Sequence, residues 1–360
     1  MRLVLMLLMA GLFITAPAFA GPVTVRVDAS AAEAVLAALR DPKLTRDRAL
    51  AISRLPGNAG LIRKGRSYGL KVDEQRFAEA LLSAAQGRPS EDERYFRFAS
   101  VLADAPRIGA ALAVLLAPTS HTLERVRARI ALFGPPTGGG GVSGYIVVGG
   151  SSGGFAFAEP EFFLNLAYFP SAPLATTIME HEMFHAVQNM AEAAERSRVE
   201  EISCTAHPAN ADRLAALFDP LMKEGTASLV GDLLALPEAG DAEIQKERSL
   251  FARKVERVAH SVTLLSLSTH AAATGASIAD DDIYALGFYG DELLYPLGYV
   301  MAKAVAEELG PASIGSLLGK PGAAFIERYI RLKRYGSDVA PSLGPIVERA
   351  ARELASCAAE

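Results

Sequence analysis

The stretch Glu180-His181-Glu182-Met183-Phe184-His185 contains the pattern HExxH within a segment of helical periodicity. Side chains four residues apart on a helix lie on one face about a turn apart, so His181 and His185 can bind one metal ion. Glu182 adjoins the first histidine and points toward the open metal position, where a carboxylate can take a proton from water that attacks a carbonyl. The pattern therefore predicts a hydrolytic metal centre with Glu182 as its general base.

A helix is predicted around this motif. Ser171-Ala172-Pro173 supplies a hydroxyl cap and a proline in the first turn, and the helical pattern continues to about Ala194. Catalytic zinc usually takes three protein ligands and leaves the fourth position for water or substrate, so a third ligand is required. Ala191 stands where a metzincin would have its third histidine, which excludes that branch.

The better candidate for the third ligand is Glu224. It lies in Lys223-Glu224-Gly225-Thr226-Ala227-Ser228, early in a helix that Asp219-Pro220 is predicted to open and that runs from Leu221 to Leu236. A ligand carried by a second helix is the glutamate-zincin arrangement. Other glutamates that follow the motif remain alternatives, and their ordinary role would be on a solvated helix face: Glu192, Glu195, Glu200 and Glu201.

Together, HEMFH at 181–185 and the EGTA-containing helix at 224–227 resemble the gluzincins, the HExxH peptidases that include thermolysin-like enzymes and the aminopeptidases. The resemblance covers roughly residues 145–310, and only HExxH is highly specific within it. It implies a zinc-dependent peptidase with Glu182 as general base and a Zn²⁺ ion held by His181, His185 and Glu224. The stretch between His185 and Glu224 is longer than in thermolysin or the aminopeptidases.

The same resemblance points to Tyr295 as a second catalytic residue. Tyr295-Pro296-Leu297-Gly298 opens a helix predicted to run from Tyr295 to Leu309, much as a Tyr-x-x-Gly segment does in the aminopeptidases. In those enzymes the tyrosine hydroxyl stabilises the oxyanion that forms when water adds to the peptide carbonyl. A packed core tyrosine is the alternative, and Tyr289 and Tyr299 lie nearby. The aminopeptidase Gly-Ala-Met-Glu-Asn stretch is absent before HEMFH, which weakens any inference that N-termini are trimmed.

Two β-type segments precede the motif, at 145–148 and 155–157, and the glycine-rich run between them predicts a hairpin turn. In zincins a strand before the HExxH helix borders the cleft, and residues 153–157 are well placed for that role. The order of strands followed by helices predicts an α+β fold. With the resemblance, residues 135–360 are expected to form a zincin-like metallopeptidase region that contains a small sheet. A mainly helical region at 21–134 precedes it, after a short strand at 23–27.

The N-terminal residues 1–20 have the pattern of a secretory signal peptide. Arg2 is followed by an apolar run at 3–14 and by the small-x-small site Ala18-Phe19-Ala20. The sequence thus predicts an exported protein, periplasmic or secreted, without stable membrane insertion after cleavage. The formal net charge is −5, and the sequence contains no basic patch, so nucleic acid is not an expected partner. The expected partner is a peptide or protein substrate.

Several questions stay open at the level of the sequence. Cys204 and Cys357 could form a disulfide in an oxidising compartment or remain two buried thiols. Two other classes of function compete with the peptidase: a non-catalytic zinc-binding protein of zincin fold, and a metal-free binding module. Endopeptidase and exopeptidase modes and the oligomeric state are undetermined.

Overall fold

A computed structural model describes residues 23–88, 90–135, 140–196, 210–239, 241–276, 278–290 and 292–356. The predicted signal segment lies outside the described residues, as do Cys204 and Cys357.

Most of the described chain is helical. The helices are α1 (Ser30–Leu39), α2 (Arg46–Ser53), α3 (Pro56–Ser67), α4 (Glu74–Ala85), α5 (Glu93–Phe96), α6 (Phe98–Leu116), α7 (Thr122–Phe133), α8 (Ala172–Arg196), α9 (Ala211–Val230), α10 (Ala242–Glu256), α11 (Val258–Thr274), α12 (Asp280–Phe288), α13 (Tyr295–Leu309), α14 (Ala312–Gly315), α15 (Gly322–Ile330) and α16 (Pro345–Ser356). Short 3₁₀ turns occupy Pro118–Ser120 and Leu233–Ala235.

One small mixed sheet accompanies these helices, so the fold belongs to the α+β class. Its strands are β1 (Thr24–Asp28), β2 (Gly141–Val147), β3 (Gly154–Ala156) and β4 (Glu161–Asn165). They lie in the order β1-β2-β4-β3, with β1 and β2 parallel, β2 and β4 parallel, and β3 antiparallel to β4. The strand β1 confirms the short strand predicted near the start of the chain.

The prediction of a hairpin across the glycine-rich run that precedes β3 was wrong. The strands β2 and β3 do not pair with each other, because β4 lies between them and pairs with both. The segment Phe162-Phe163-Leu164 is a continuous apolar run in β4, buried on both faces of the sheet. Such a run lacks the alternation that identifies a half-buried strand, which is why this strand was missed.

The sheet is covered on both faces. Alternate side chains of a strand point to opposite faces, and on one face Ile146 and Phe162 join the main core with Met183 and Phe184 of α8. On the other face, Phe155 and its neighbours pack with α1 and α3 in a smaller cluster made of Ala31, Leu61, Val147, Phe155 and Phe163. The helix α8 therefore packs against one face of the sheet. The strand β3 forms an edge of that sheet.

The helix predicted to begin at Asp219-Pro220 begins earlier and ends earlier. The helix α9 starts at Ala211 and contains Pro220, although a proline inside a helix removes one backbone hydrogen bond and costs roughly 3 kcal/mol. The preceding turns bury Leu214, Leu217 and Phe218, and this burial offsets the cost. The helix ends before Gly231, where any side chain would overlap Thr177 and His181 of α8.

One apolar stretch, Glu93–Leu116, is long and hydrophobic enough to cross a membrane by length and composition alone. In the structure it forms α5 and α6, separated by Arg97 in a left-handed conformation. A stripe on α6 is buried among other helices, formed by Val101, Ala105, Ile108, Leu112 and Leu115. We therefore interpret this stretch as a core helix.

Candidate metal centre

The two histidines of HExxH converge on one point. Both lie on α8, which packs Met183 and Phe184 into the core and leaves the histidine side of the helix partly open. The Nε2 atoms of His181 and His185 are 3.0 Å apart, and their rings meet edge to face at a centroid distance of 4.7 Å. This is the arrangement that the four-residue spacing predicts.

Glu224 completes the cluster from α9. Its Oε2 lies 3.5 Å from Nε2 of His181 and 3.2 Å from Nε2 of His185. The donor atoms of these three side chains all lie within 4.8 Å of one another, and within the described ranges they form the only group of three or more such donors. The competing Glu192 instead forms an ion pair with Lys223, at 2.7 Å, whereas Glu200 and Glu201 lie outside the described residues.

The chemistry of this donor set fits a zinc ion. Two imidazole nitrogens and one carboxylate oxygen are the ligands of many catalytic zinc sites. The Oε2 atom of Glu224 is buried and has no hydrogen-bond partner among the residues described. A buried carboxylate oxygen without a partner is costly, and a cation bound between it and the two Nε2 atoms would remove that cost.

The charges at the cluster favour a cation in the same way. Burial raises the pKa of the Glu224 carboxyl, but His185 and His181 lower it by more, so the carboxyl stays ionised at neutral pH. Burial lowers the pKa of His185, but the Glu224 carboxylate outweighs burial and raises it to about 9. In the absence of a metal, a proton on His185 thus balances Glu224, and a bound cation would take over that role.

Gln188 orients the His185 ring. Its amide nitrogen donates to the Lys223 carbonyl (2.9 Å) and to Thr226 Oγ1 (2.8 Å), so its Oε1 must face His185 Nδ1 at 2.7 Å. The Nδ1–H group therefore donates to Gln188, and Nε2 is the ring atom that faces Glu224. This nitrogen carries the proton that balances Glu224, and it would offer a lone pair to a cation that replaces that proton. Sequence reasoning missed Gln188, although its position three residues after His185 places it on the same helix face.

Glu182 is buried between α8 and β3. A side chain at Gly154 would overlap its Oε1, so the glycine leaves the space that this carboxylate occupies. Burial raises the pKa of Glu182, and the negative charge of Glu224 adds to that effect, while His181, His185 and Lys64 oppose it. Burial therefore brings the pKa of this carboxyl, which lies beside two histidines, closer to neutral pH.

Tyr295 is the first residue of α13 and lies beside Glu224. Burial and then the charge of Glu224 raise its pKa well above the ordinary value, so the hydroxyl keeps its proton at neutral pH. The other two tyrosines that the sequence left open lie elsewhere: Tyr289 is 63% exposed, and the Tyr299 hydroxyl donates to Asp232 at 3.0 Å.

A close contact between α9 and α13 brings Tyr295 to Glu224. Any side chain on Gly225 would overlap the backbone of Gly298, and one on Gly298 would overlap the Leu221 carbonyl. The two glycines thus allow the helices to touch through their backbones. The structure therefore brings together all five residues that the sequence singled out, from three helices: His181, Glu182, His185, Glu224 and Tyr295.

A protein family described as "Putative zinc dependent peptidase (DUF5700)" matches residues 51–335. The chain belongs to this family. The DUF5700 match spans most of the chain and contains the whole His-His-Glu cluster, Glu182 and Tyr295. It supports a zinc-dependent peptidase at the level of the family. No curated protein and no solved structure matches the chain.

Proposed function

We propose that this protein is a zinc-dependent peptidase of gluzincin type, in which His181, His185 and Glu224 hold the ion. The observation that carries the proposal is the convergence of two imidazole Nε2 atoms and the buried Oε2 of Glu224, which makes no well-formed hydrogen bond among the described residues. The family description points to the same metal and the same class of reaction. A bound zinc ion supplies Lewis acidity, which polarises the peptide carbonyl and makes water easier to deprotonate.

In this proposal Glu182 moves the protons. Its carboxylate takes a proton from the attacking water and later delivers it to the nitrogen of the departing amine. Burial next to β3 supports that role, because a raised pKa brings the carboxyl closer to the pH at which it must both accept and release a proton. The packing of Glu182 against Gly154 also holds the carboxylate in one place.

The proposed role of Tyr295 is to stabilise the oxyanion. Its hydroxyl stays protonated at neutral pH and can donate a hydrogen bond when negative charge develops on the carbonyl oxygen. A donor fixed at the start of a helix needs little reorganisation at the moment of reaction.

The free edge of β3 is the proposed guide for the peptide. In the sheet order β1-β2-β4-β3, and among the residues that the structure describes, this strand has a paired neighbour on one side only. An extended peptide can add to such an edge through backbone hydrogen bonds. Because Gly154 in β3 adjoins Glu182, a peptide paired there would pass close to the proposed base.

Substitution of Glu182 by glutamine tests the assignment. We expect Glu182→Gln to retain close to one equivalent of zinc and to lose peptide cleavage by about 10²-fold or more, because the shape is kept and the base is removed. The measurements are metal content and cleavage of a mixed peptide library read by mass spectrometry. Glu79→Gln, an exposed carboxylate on α4, is the matched control.

Three outcomes would contradict the proposal. Unchanged turnover in Glu182→Gln would remove Glu182 from its role. A zinc content below about a tenth of an equivalent after preparation with added zinc would favour a metal-free binding module. Full zinc content in the unaltered protein, without cleavage of any peptide, would indicate a non-catalytic zinc protein.

A further inference from the structure

Lys64 on α3 is a cation without an ionic partner. In the described part of the chain no carboxylate lies within 4.0 Å of its ammonium, whereas the preceding Arg63 is paired with Glu159 at 2.8 Å and Glu161 at 3.2 Å. The Lys64 Nζ atom lies 5.0 Å from the centre of the Tyr68 ring and 5.5 Å from that of the Phe155 ring. The ammonium of this partly buried residue thus lies near two aromatic rings, which attract a cation.

This ammonium lies beside the strand that borders the metal centre. Gly154 and Phe155 are consecutive residues of β3, so they face opposite sides of the sheet: Gly154 toward Glu182 on α8, and Phe155 toward α3. Lys64 lies on that second side, with its Nζ atom 5.5 Å from the centre of the Phe155 ring. The strand β3 therefore separates the catalytic carboxylate from a lysine on its other side.

A peptide paired with the free edge of β3 would present its side chains alternately to these two sides. One set would face α8 and the metal centre, and the next set would face Lys64 and the ring of Tyr68, which is 39% exposed. A carboxylate on that second side would gain a charge-assisted hydrogen bond. A neutral side chain there would gain no such bond, which favours acidic peptides over neutral ones.

We propose that Lys64 determines specificity by selecting peptides that carry a carboxylate beside the scissile bond. The inference rests on the proposed peptidase function. The carboxylate can belong to an aspartate or glutamate side chain, or to the C-terminus of a short peptide, because both offer the same group to the ammonium.

Pairs of peptides that differ only by Glu or Gln at one position, with amidated C-termini, test the side-chain source. A second set of neutral peptides with free or amidated C-termini tests the terminal source. We expect the unaltered enzyme to cleave the carboxylate member of at least one set with a kcat/KM about tenfold higher or more. In Lys64→Met that ratio should fall to about one, and in Lys64→Glu it should fall below one.

The control variant is Lys43→Met, which removes an exposed lysine in the segment before α2. This variant should keep the preference. A preference due to an ion pair should also weaken as salt is raised to about 0.5 M. Equal cleavage of both members of every pair by the unaltered enzyme would overturn the proposal, as would a preference that survives in Lys64→Met.

Binding separates a failure of this inference from a failure of the peptidase assignment. Fluorescein-labelled peptides of the same sets are titrated with zinc-loaded Glu182→Gln, alone and combined with Lys64→Met, and followed by anisotropy. If no peptide is cleaved, carboxylate-selective binding that disappears in the double variant still supports the role of Lys64. Binding without such selectivity overturns that role, whatever the enzyme cleaves.

Discussion

At the scale of single residues, the metal-binding geometry depends on a side chain that offers no ligand. Gln188 is 2% exposed, and its amide connects the His185 ring on α8 to the Lys223 carbonyl and Thr226 hydroxyl on α9. It thereby fixes the ring nitrogen that faces Glu224 and ties together the two helices that carry the donors. Outer contacts of this kind orient metal ligands and raise their basicity.

We expect Gln188→Leu to bind zinc about 10- to 100-fold more weakly than the unaltered protein, because His185 Nδ1 loses its acceptor and the ring its orientation. Competition with a chromophoric zinc chelator measures the affinity, and circular dichroism checks that the helices remain. The control is Gln75→Leu, since Gln75 accepts only an exposed bond from Arg46 on the surface of α4. An unchanged affinity in a folded Gln188→Leu protein would show that Gln188 does not orient the ligand.

At the scale of elements, the position of Tyr295 relative to Glu224 depends on the contact between α9 and α13. Gly225 directly follows Glu224, and its backbone touches that of Gly298, three residues after Tyr295. The same small residues therefore set the distance between the helices and the distance between the carboxylate and the hydroxyl.

We expect Gly225→Ala to lower the free energy of unfolding by about 1–3 kcal/mol, because its methyl group must push the two backbones apart. Cleavage should fall more than zinc affinity, since Glu224 stays on α9 with the histidines of α8 nearby whereas Tyr295 moves away. Urea denaturation, zinc titration and peptide turnover measure the three quantities. In the control, Gly109→Ala on α6, the methyl group meets only the end of the Arg40 side chain, at 4.0 Å, and stability should be unchanged or slightly higher. Equal stability of Gly225→Ala and the unaltered protein would contradict the close-contact explanation.

The elements that the sequence predicted well are those with local signals. The helix around HExxH and the helix from Tyr295 to Leu309 have periodic apolar faces, and Gly310 in a positive-φ conformation ends the second. The strand β4 and the true start of α9 depend on pairing and burial against distant parts of the chain, which local patterns do not contain. At the site, helical spacing was enough to pair His181 with His185, but only tertiary packing brings Glu224 to them.

At the scale of the whole molecule, the proposed zinc site is a small addition to a large core. The main cluster of buried side chains runs from β1 through α16 and includes both helices that carry the proposed ligands. Small zinc domains unfold without their metal because they lack such a core. Here we expect the apolar core to keep the chain folded without the ion, because it is far larger than that of such domains.

We therefore expect removal of zinc to lower the melting temperature without unfolding the protein. A ligand at about 100 times its dissociation constant adds about 2.7 kcal/mol to the native state, which corresponds to roughly 3–4 °C for a chain of 360 residues. Scanning calorimetry with a zinc chelator and with added zinc measures the difference, while far-ultraviolet circular dichroism at 25 °C should show the same helix content in both forms. In His185→Ala the melting temperature should no longer respond to zinc, because the cluster has lost one of its two imidazole donors. A melting temperature that is equal with and without zinc in the unaltered protein would contradict binding at this cluster. Loss of helix content on chelation would contradict a core that folds independently of the metal.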